Sequence, residues 1–255
     1  MNTLNRLWRI LATGFSFVVF GLGGLLLPLV IAPASAILRN DRRRERWVKQ
    51  LIGRCFWTFV RLMESLGILT YDIRGLDRLR EPGRLIIANH PTLIDVVFLM
   101  ALVPNADCVI KSALMRNPFT RGPLKAGQYI ANDDPAAVVE AARGSMERGN
   151  SLIIFPEGTR STPGREMTLQ RGAANIAIRA GQNLTPVIIT CSPPTLTKQT
   201  PWYQVPDRRF HMTFSVGDDI EVEPFLQQRP ALMSRRLTDT IKDYFTTELA
   251  RYERP

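Results

Sequence analysis

The sequence predicts an α/β fold: a domain with a mixed central sheet flanked by helices, preceded by an N-terminal membrane-embedded helical segment. Three observations predict it. Residues 10–38 carry no charge and form one apolar run. From residue 70 onward, short apolar runs alternate with segments of helical periodicity. The 255 residues, 45% of them hydrophobic, suffice for one sizeable core plus an appendage.

The apolar run exceeds the roughly 20 residues that a helix needs to cross a bilayer. Gly14, Gly21, Gly23, Gly24, Pro28 and Pro33 interrupt it, so a straight span and a bent or re-entrant hairpin both fit. Arg6 and Arg9 before the run and Ala34-Ser35-Ala36 near its end also fit a secretory signal. Against that, Arg39, Arg42, Arg43, Arg44 and Arg46 follow at once, and such a cluster opposes translocation. The expected location is therefore the inner (cytoplasmic) membrane, with the catalytic domain on the cytoplasmic face.

Residues 47–66 repeat Val48, Leu51, Ile52, Cys55, Phe56, Phe59, Val60 and Met63 at helical spacing, with Lys49, Arg54 and Arg61 elsewhere on the turn. Such a helix lies on the bilayer beside the anchor or covers a core. The expected division is 1–69 as membrane anchor and interfacial helix and 70–255 as catalytic domain. Within the latter, strands are predicted at 84–88, 108–111, 128–131, 151–155, 185–190 and 212–216. Helices are predicted at 93–102, 135–147, 171–180 and 231–251, and the Pro-rich stretch 192–206 reads as a surface loop.

Lys and Arg total 33 against 23 acidic residues, a net charge of +10 that calls for an anionic partner. The basic residues crowd beside the apolar run at 42–46, which fits lipid headgroups; no nucleic-acid partner is expected. Cys55, Cys108 and Cys191 show no pair spacing of zinc or redox sites and are expected as reduced core residues. With His90 and His211 as the only histidines, no metal ligand set forms and no cofactor is expected.

The strand at 84–88 runs into Asn89-His90-Pro91-Thr92-Leu93-Ile94-Asp95. Pro91 suits a first helical turn and disfavours helix in the residue before it, so His90 is expected just outside a helix N-terminus. Side chains in a helix lean toward its N-terminus, so Asp95, about one turn in, can point back at the imidazole. A carboxylate on one ring nitrogen fixes the tautomer and stabilises the imidazolium formed when the other takes a proton. A dipole-complementing Asp95 beside a capping histidine is the plainer reading of this segment alone. The strand at 151–155 ends in Pro156-Glu157-Gly158-Thr159-Arg160-Ser161. Gly158 permits close backbone approach, Arg160 offers a planar fork suited to a phosphate, and Thr159 and Ser161 add neutral donors. Alone, this turn also reads as a solvated salt bridge.

Together, Asn89-His90 through Asp95 and Phe155 through Ser161 resemble the glycerolipid acyltransferase family, which includes bacterial 1-acylglycerol-3-phosphate acyltransferases. Lys111 with Leu114 and Pro118, Gly127, Arg171-Gly172-Ala173 and Thr185-Pro186-Val187 extend the resemblance. It implies that His90 deprotonates an acceptor hydroxyl, which attacks the thioester of acyl-CoA or acyl-carrier protein without an acyl-enzyme, while Asp95 orients His90. It further implies that Glu157, Gly158, Thr159 and Arg160 shape the acceptor site, that Arg160 and Lys111 hold the phosphate of a lysolipid, and that Pro186 packs beneath the acyl region. Where the family often has an arginine after the glycine of the second block, Gly127 here leads through Tyr129 and Ile130 to Asn132 and Asp133. Lysophosphatidate is the expected acceptor, and other lysolipids such as lyso-ornithine lipid stay open. A serine hydrolase using Ser112, Ser145 or Ser161 lacks the G-x-S-x-G elbow. A non-catalytic basic membrane-surface protein is the remaining alternative.

Overall fold

The computed structural model of the protein describes residues 3–252 except 111, 118, 119, 133, 163 and 228. Two long helices come first, α1 (Thr3–Ile37) and α2 (Asp41–Ser65). The first contains Pro28 and Pro33 and continues through both, so the hairpin alternative is not adopted. A proline removes one ladder hydrogen bond, while every other backbone group of an apolar helix has no better partner than its own ladder. Asn40 caps α2, accepting from the Arg43 backbone N–H at 3.0 Å.

There follow β1 (Leu69–Arg74), α3 (Leu76–Leu79), β2 (Leu85–Ala88), α4 (Asp95–Leu102), β3 (Ala106–Ile110) and the short helices α5 (Ser112–Arg116) and α6 (Arg121–Ala126). Then come β4 (Ile130–Ala131), α7 (Pro135–Glu147), β5 (Ser151–Ile154), α8 (Gly172–Ala180), β6 (Leu184–Ser192), β7 (Phe210–Val216), a 3-10 turn at Glu223–Phe225 and α9 (Pro230–Tyr252). The seven strands form one sheet in the order β1-β7-β6-β2-β5-β3-β4. All pairs are parallel except β6 with β7, so the sheet is mixed, as expected.

The central strands are buried on both faces. Leu85 and Ile87 of β2 point into a core with α7, α8 and α9, through Val138, Ala142, Ile176, Leu237 and Phe245. Ile86 and Ala88 point the other way, into a core with α2 and α4, through Phe59, Val60, Met63, Phe98 and Leu99. Of the two readings of α2, the covering of a core is therefore the observed one. Lys49, expected on the polar side of this helix, is 3% exposed. Its ammonium lies 2.8 Å from Glu45 and 2.9 Å from Asp107, and Asp107 also accepts from Ser145 at 2.6 Å. Asn150 and Arg148 complete the network on Glu45.

Of the cysteines, Cys108 is buried and Cys191 half-buried, whereas Cys55 is exposed on α2, against expectation. It lies at the edge of the buried stripe Ile52–Phe59–Met63, about 60° round the helix from its centre. Burial pushes both the Cys108 and the Cys191 thiol up to about 12, so neither is a thiolate at neutral pH.

Candidate active site

β2 and β5 are parallel neighbours with Ile87 opposite Ile154. Three residues beyond that pair, at the carboxyl ends of the strands, stand His90 on one chain segment and Glu157 on the other. The register alone thus brings the two sequence motifs together, at the sheet edge where open α/β folds form their sites.

His90 Nδ1 lies 2.9 Å from Asp95 Oδ2, with the Asp95 side chain fully buried and that of His90 18% exposed. The carboxylate accepts, so Nδ1 carries the proton and Nε2 is the nitrogen free to take one. Asp95 also accepts from the Thr92 backbone N–H at 2.7 Å and the Thr92 hydroxyl at 2.5 Å. Burial pushes the Asp95 carboxyl above its ordinary range, and the hydrogen bonds from His90 and Thr92 oppose that shift.

The helix start differs from expectation. Pro91 is not in a first helical turn; α4 begins at Asp95 itself. The N–H of Thr92 is taken by Asp95 and that of Leu93 by the Leu196 carbonyl at 3.0 Å, so residues 91–94 spend their donors outside a helical ladder. Asp95 nevertheless reaches His90 as expected.

The second motif supports the first from behind. The His90 backbone N–H donates to Glu157 Oε1 at 3.0 Å, and the Ser161 hydroxyl donates to the same oxygen at 2.6 Å. The Ser161 N–H donates to the His90 carbonyl at 2.7 Å. Phe155 stacks on the imidazole, ring centroids 4.3 Å apart. Gly158 has φ +67°, a left-handed conformation that a side chain disfavours, and it closes the turn by donating to the Phe155 carbonyl at 3.0 Å. Gly158 and Thr159 are exposed. Arg160 Nη1 donates to the Leu196 and Thr197 carbonyls at 3.0 and 2.8 Å, holding the 193–200 loop against the motif. Lys111 lies outside the described residues, as do Pro118 and Asp133.

Asn89 has a part that the motif did not reveal. It is 4% exposed, its Nδ2 donating to the Ile189 carbonyl at 2.8 Å and its Oδ1 accepting from the Ile189 N–H at 2.7 Å. The side chain so extends the β2–β6 ladder by one residue. Asn89→Ala leaves two buried backbone groups unpaired, and a loss of about 2–4 kcal/mol in denaturant unfolding is expected.

The remaining candidates go elsewhere. His211 Nδ1 pairs with the Thr70 hydroxyl at 2.9 Å in the β1–β7 pair. The hydroxyls of Ser145 and Ser161 donate to Asp107 and Glu157, so neither is presented to the imidazole as a nucleophile. Among the described residues no group of three or more His, Cys, Asp or Glu side chains forms a metal site.

Residues 70–190, which contain both motifs, match the family model described as Acyltransferase. Over that stretch, just under half of the chain, the sequence is similar to that family. Similar curated proteins include the 1-acyl-sn-glycerol-3-phosphate acyltransferase of Cocos nucifera, 33% identical over 111 residues, which are 41% of this chain and 36% of that protein. The enzyme of that name from Pseudomonas aeruginosa is 29% identical over 125 residues, 47% of this chain and 49% of the relative. The chain thus spans less than half the length of these curated relatives. The fold is similar to the crystal structure of the 1-acyl-sn-glycerophosphate acyltransferase PlsC from Thermotoga maritima, with a TM-score of 0.68 over 96% of this chain and 98% of that one. At 16% identity that likeness bears on the fold. The candidate site therefore consists of His90 and Asp95 on one strand end, clamped by Glu157 and Ser161 from the next.

Proposed function

We propose that the protein moves a fatty acyl group from a thioester donor, acyl-CoA or acyl-carrier protein, to the free hydroxyl of a lysophospholipid, with 1-acylglycerol-3-phosphate giving phosphatidic acid as the leading case. The observation that carries this reading is the His90 Nδ1 to Asp95 contact of 2.9 Å on a fully buried carboxylate, which leaves Nε2 as a base with no serine or cysteine hydrogen-bonded to it among the described residues. In the proposed step Nε2 takes the hydroxyl proton as the oxygen attacks the thioester carbonyl. The tetrahedral intermediate expels the thiolate, which recovers the proton from the imidazolium. Asp95 orients the ring and offsets its transient charge, while Glu157 acts through the His90 backbone rather than on substrate.

Arg160 is proposed to meet the acceptor phosphate with Nε and Nη2 while Nη1 holds the 193–200 loop; Lys111 is proposed as its companion cation. A lysine has one nitrogen and cannot do both. Arg160→Lys is therefore expected to raise the KM for lysophosphatidate about ten-fold with kcat nearly unchanged, read from steady-state kinetics. An unchanged KM would remove Arg160 from the acceptor site.

Residues 70–255 are proposed as the catalytic domain and 1–69 as its membrane-docking part. Leu7, Leu11, Phe15, Val18, Leu25 and Leu29 of α1 are exposed, and its most apolar window has a mean hydropathy of 2.4. The helix is also pinned along the domain: Arg9 Nη2 donates to the Asp207 carbonyl at 2.5 Å, Trp8 Nε1 to the Leu66 carbonyl at 3.0 Å, and Ile31 packs with Val48 at the other end. A helix held at both ends by a polar domain lies on the bilayer more readily than it crosses one. We assign that bilayer to the inner membrane, cytoplasmic face.

The deciding experiment supplies radiolabelled acyl-CoA and acyl-carrier protein to the solubilised full chain, against lysophosphatidate, lyso-ornithine lipid and other lysolipids. Conversion of lysophosphatidate supports the whole reading. Asn132, exposed in the stretch after Gly127 where the family resemblance leads one to expect an arginine, favours the second reading, and turnover of another lysolipid alone would select it.

A further inference from the structure

A second site stands apart from both motifs. A cavity of about 360 Å³ opens between the C-terminal half of α1, the first turns of α2 and the short helix α6. Its apolar wall is Pro28, Ile31 and Ala32 of α1 with Pro123 and Ala126 of α6, and its polar wall is Ser35, Arg44 and Lys125. None of these residues belongs to the His90 or Glu157 segments.

Four features say what the cavity takes. Its size is within the range of small-molecule sites, which are mostly apolar with a few placed polar groups. Two cations line it. The acid beside them, Asp41, reaches Arg44 at 2.5 Å but is itself 71% exposed, so water screens that pair and it does not cancel the local charge. The Ser35 hydroxyl is buried and has no hydrogen-bond partner among the described residues, a donor left over for something that fills the space. Arg42, Arg43 and Arg46 stand exposed on the same turns of α2 and deepen the positive potential. Leu25, Leu26 and Leu29 of α1 stand exposed next to the wall residues, so an occupant with an apolar tail has a continuous apolar surface to follow.

We propose that this cavity binds the phosphate headgroup of an anionic glycerophospholipid. The phosphate sits between Arg44 and Lys125 and accepts from Ser35, while the glycerol and upper chain lie on Pro28, Ile31 and Pro123. The site is a lipid clip at the foot of the helical layer, separate from the acyl-transfer centre.

The test is binding, which does not depend on turnover. Dihexanoyl phosphatidic acid, dihexanoyl phosphatidylcholine and inorganic phosphate are titrated by calorimetry into the full chain in non-ionic detergent. Dihexanoyl phosphatidic acid is expected to bind at least several-fold tighter than either of the others. Arg44→Gln with Lys125→Gln is expected to weaken it about thirty-fold, the loss for two cations beside a phosphate. Ala32→Trp, which fills the cavity from an exposed helical position, is expected to abolish the same binding event with the charges intact. Should the double variant fail to fold, Lys125→Gln alone, on an exposed position, is expected to weaken binding about five-fold. Equal affinity for phosphatidylcholine would overturn the role of the cations, and equal affinity for inorganic phosphate that of the apolar wall. Affinity unchanged in the variants would put the lipid elsewhere, at the acyl-transfer centre, and overturn the site.

Discussion

His90→Ala is expected to lower acyl transfer by about three orders of magnitude while leaving the unfolding transition in place, since general-base catalysis of this kind contributes roughly 10²–10⁴-fold. The fold should not suffer: the backbone of residue 90, not its ring, carries the contacts to Glu157 and Ser161. Asp95→Asn is a separate matter. An amide at that position can donate to Nδ1, which would move the imidazole proton to Nε2 and remove the base without removing the ring. Its activity should fall nearly as far as that of His90→Ala, and the double variant should be little worse than either, because the two residues act as one unit. Steady-state turnover of the two single variants and the double variant measures this. Additive losses would mean that Asp95 acts on something other than His90.

Lys49→Met carries the largest expected cost in stability, about 3–5 kcal/mol, the range for removing one partner of a buried ion pair. It leaves Glu45, 2% exposed, and Asp107, fully buried, without the ammonium between them. At present burial acts to raise the Glu45 carboxyl, but hydrogen bonds and charge from Lys49 and Arg148 outweigh it and hold that carboxyl below its ordinary range. Burial pushes Asp107 up, with Lys49 and Ser145 opposing. Without Lys49 both carboxyls should rise above their unfolded values. The folded state then binds more protons than the unfolded one, so the stability of Lys49→Met should increase as pH falls toward the carboxylate range. For the natural chain, Glu45 has the opposite sign: its contribution is present above the unfolded value and is lost as pH falls through the depressed folded value. Asp107, already raised, keeps its sign in both proteins, so urea unfolding across that range should show the stability gap between Lys49→Met and the natural chain narrowing as pH falls.

How far the chain announces itself depends on the distance over which each signal acts. α7 was readable to the residue, because Asp134 caps it, accepting from the Ala136 and Ala137 N–H groups, and Pro135 opens it. β2, β5 and β6 were readable as unbroken apolar runs between polar turns. β1 was missed: its Leu69-Thr70-Tyr71-Asp72-Ile73-Arg74 alternation is a strand signal, but the seven residues between Gly67 and Gly75 give it little length. α6 was missed because Gly122 and Pro123 sit inside it. At the site, His90, Asp95 and the Glu157–Ser161 turn were readable, being local motifs at strand ends. The grip of Glu157 on the His90 N–H and of Arg160 on the 196–197 carbonyls was not, since each joins segments 67 and 36 residues apart. Lys49 misled for the same reason: helical periodicity sorts side chains by type, and only Asp107 on another element makes its burial tolerable.

The uneven placing of the three thiols makes the chain its own instrument. With Cys108 buried, the Cys191 thiol pushed up to about 12 by burial and Cys55 exposed on α2, a maleimide dye should attach to the unmodified sequence first at Cys55. A polarity-sensitive fluorophore there reports from the helical layer itself. Its emission against vesicles of graded anionic content would trace how deeply that layer settles, without a single engineered residue.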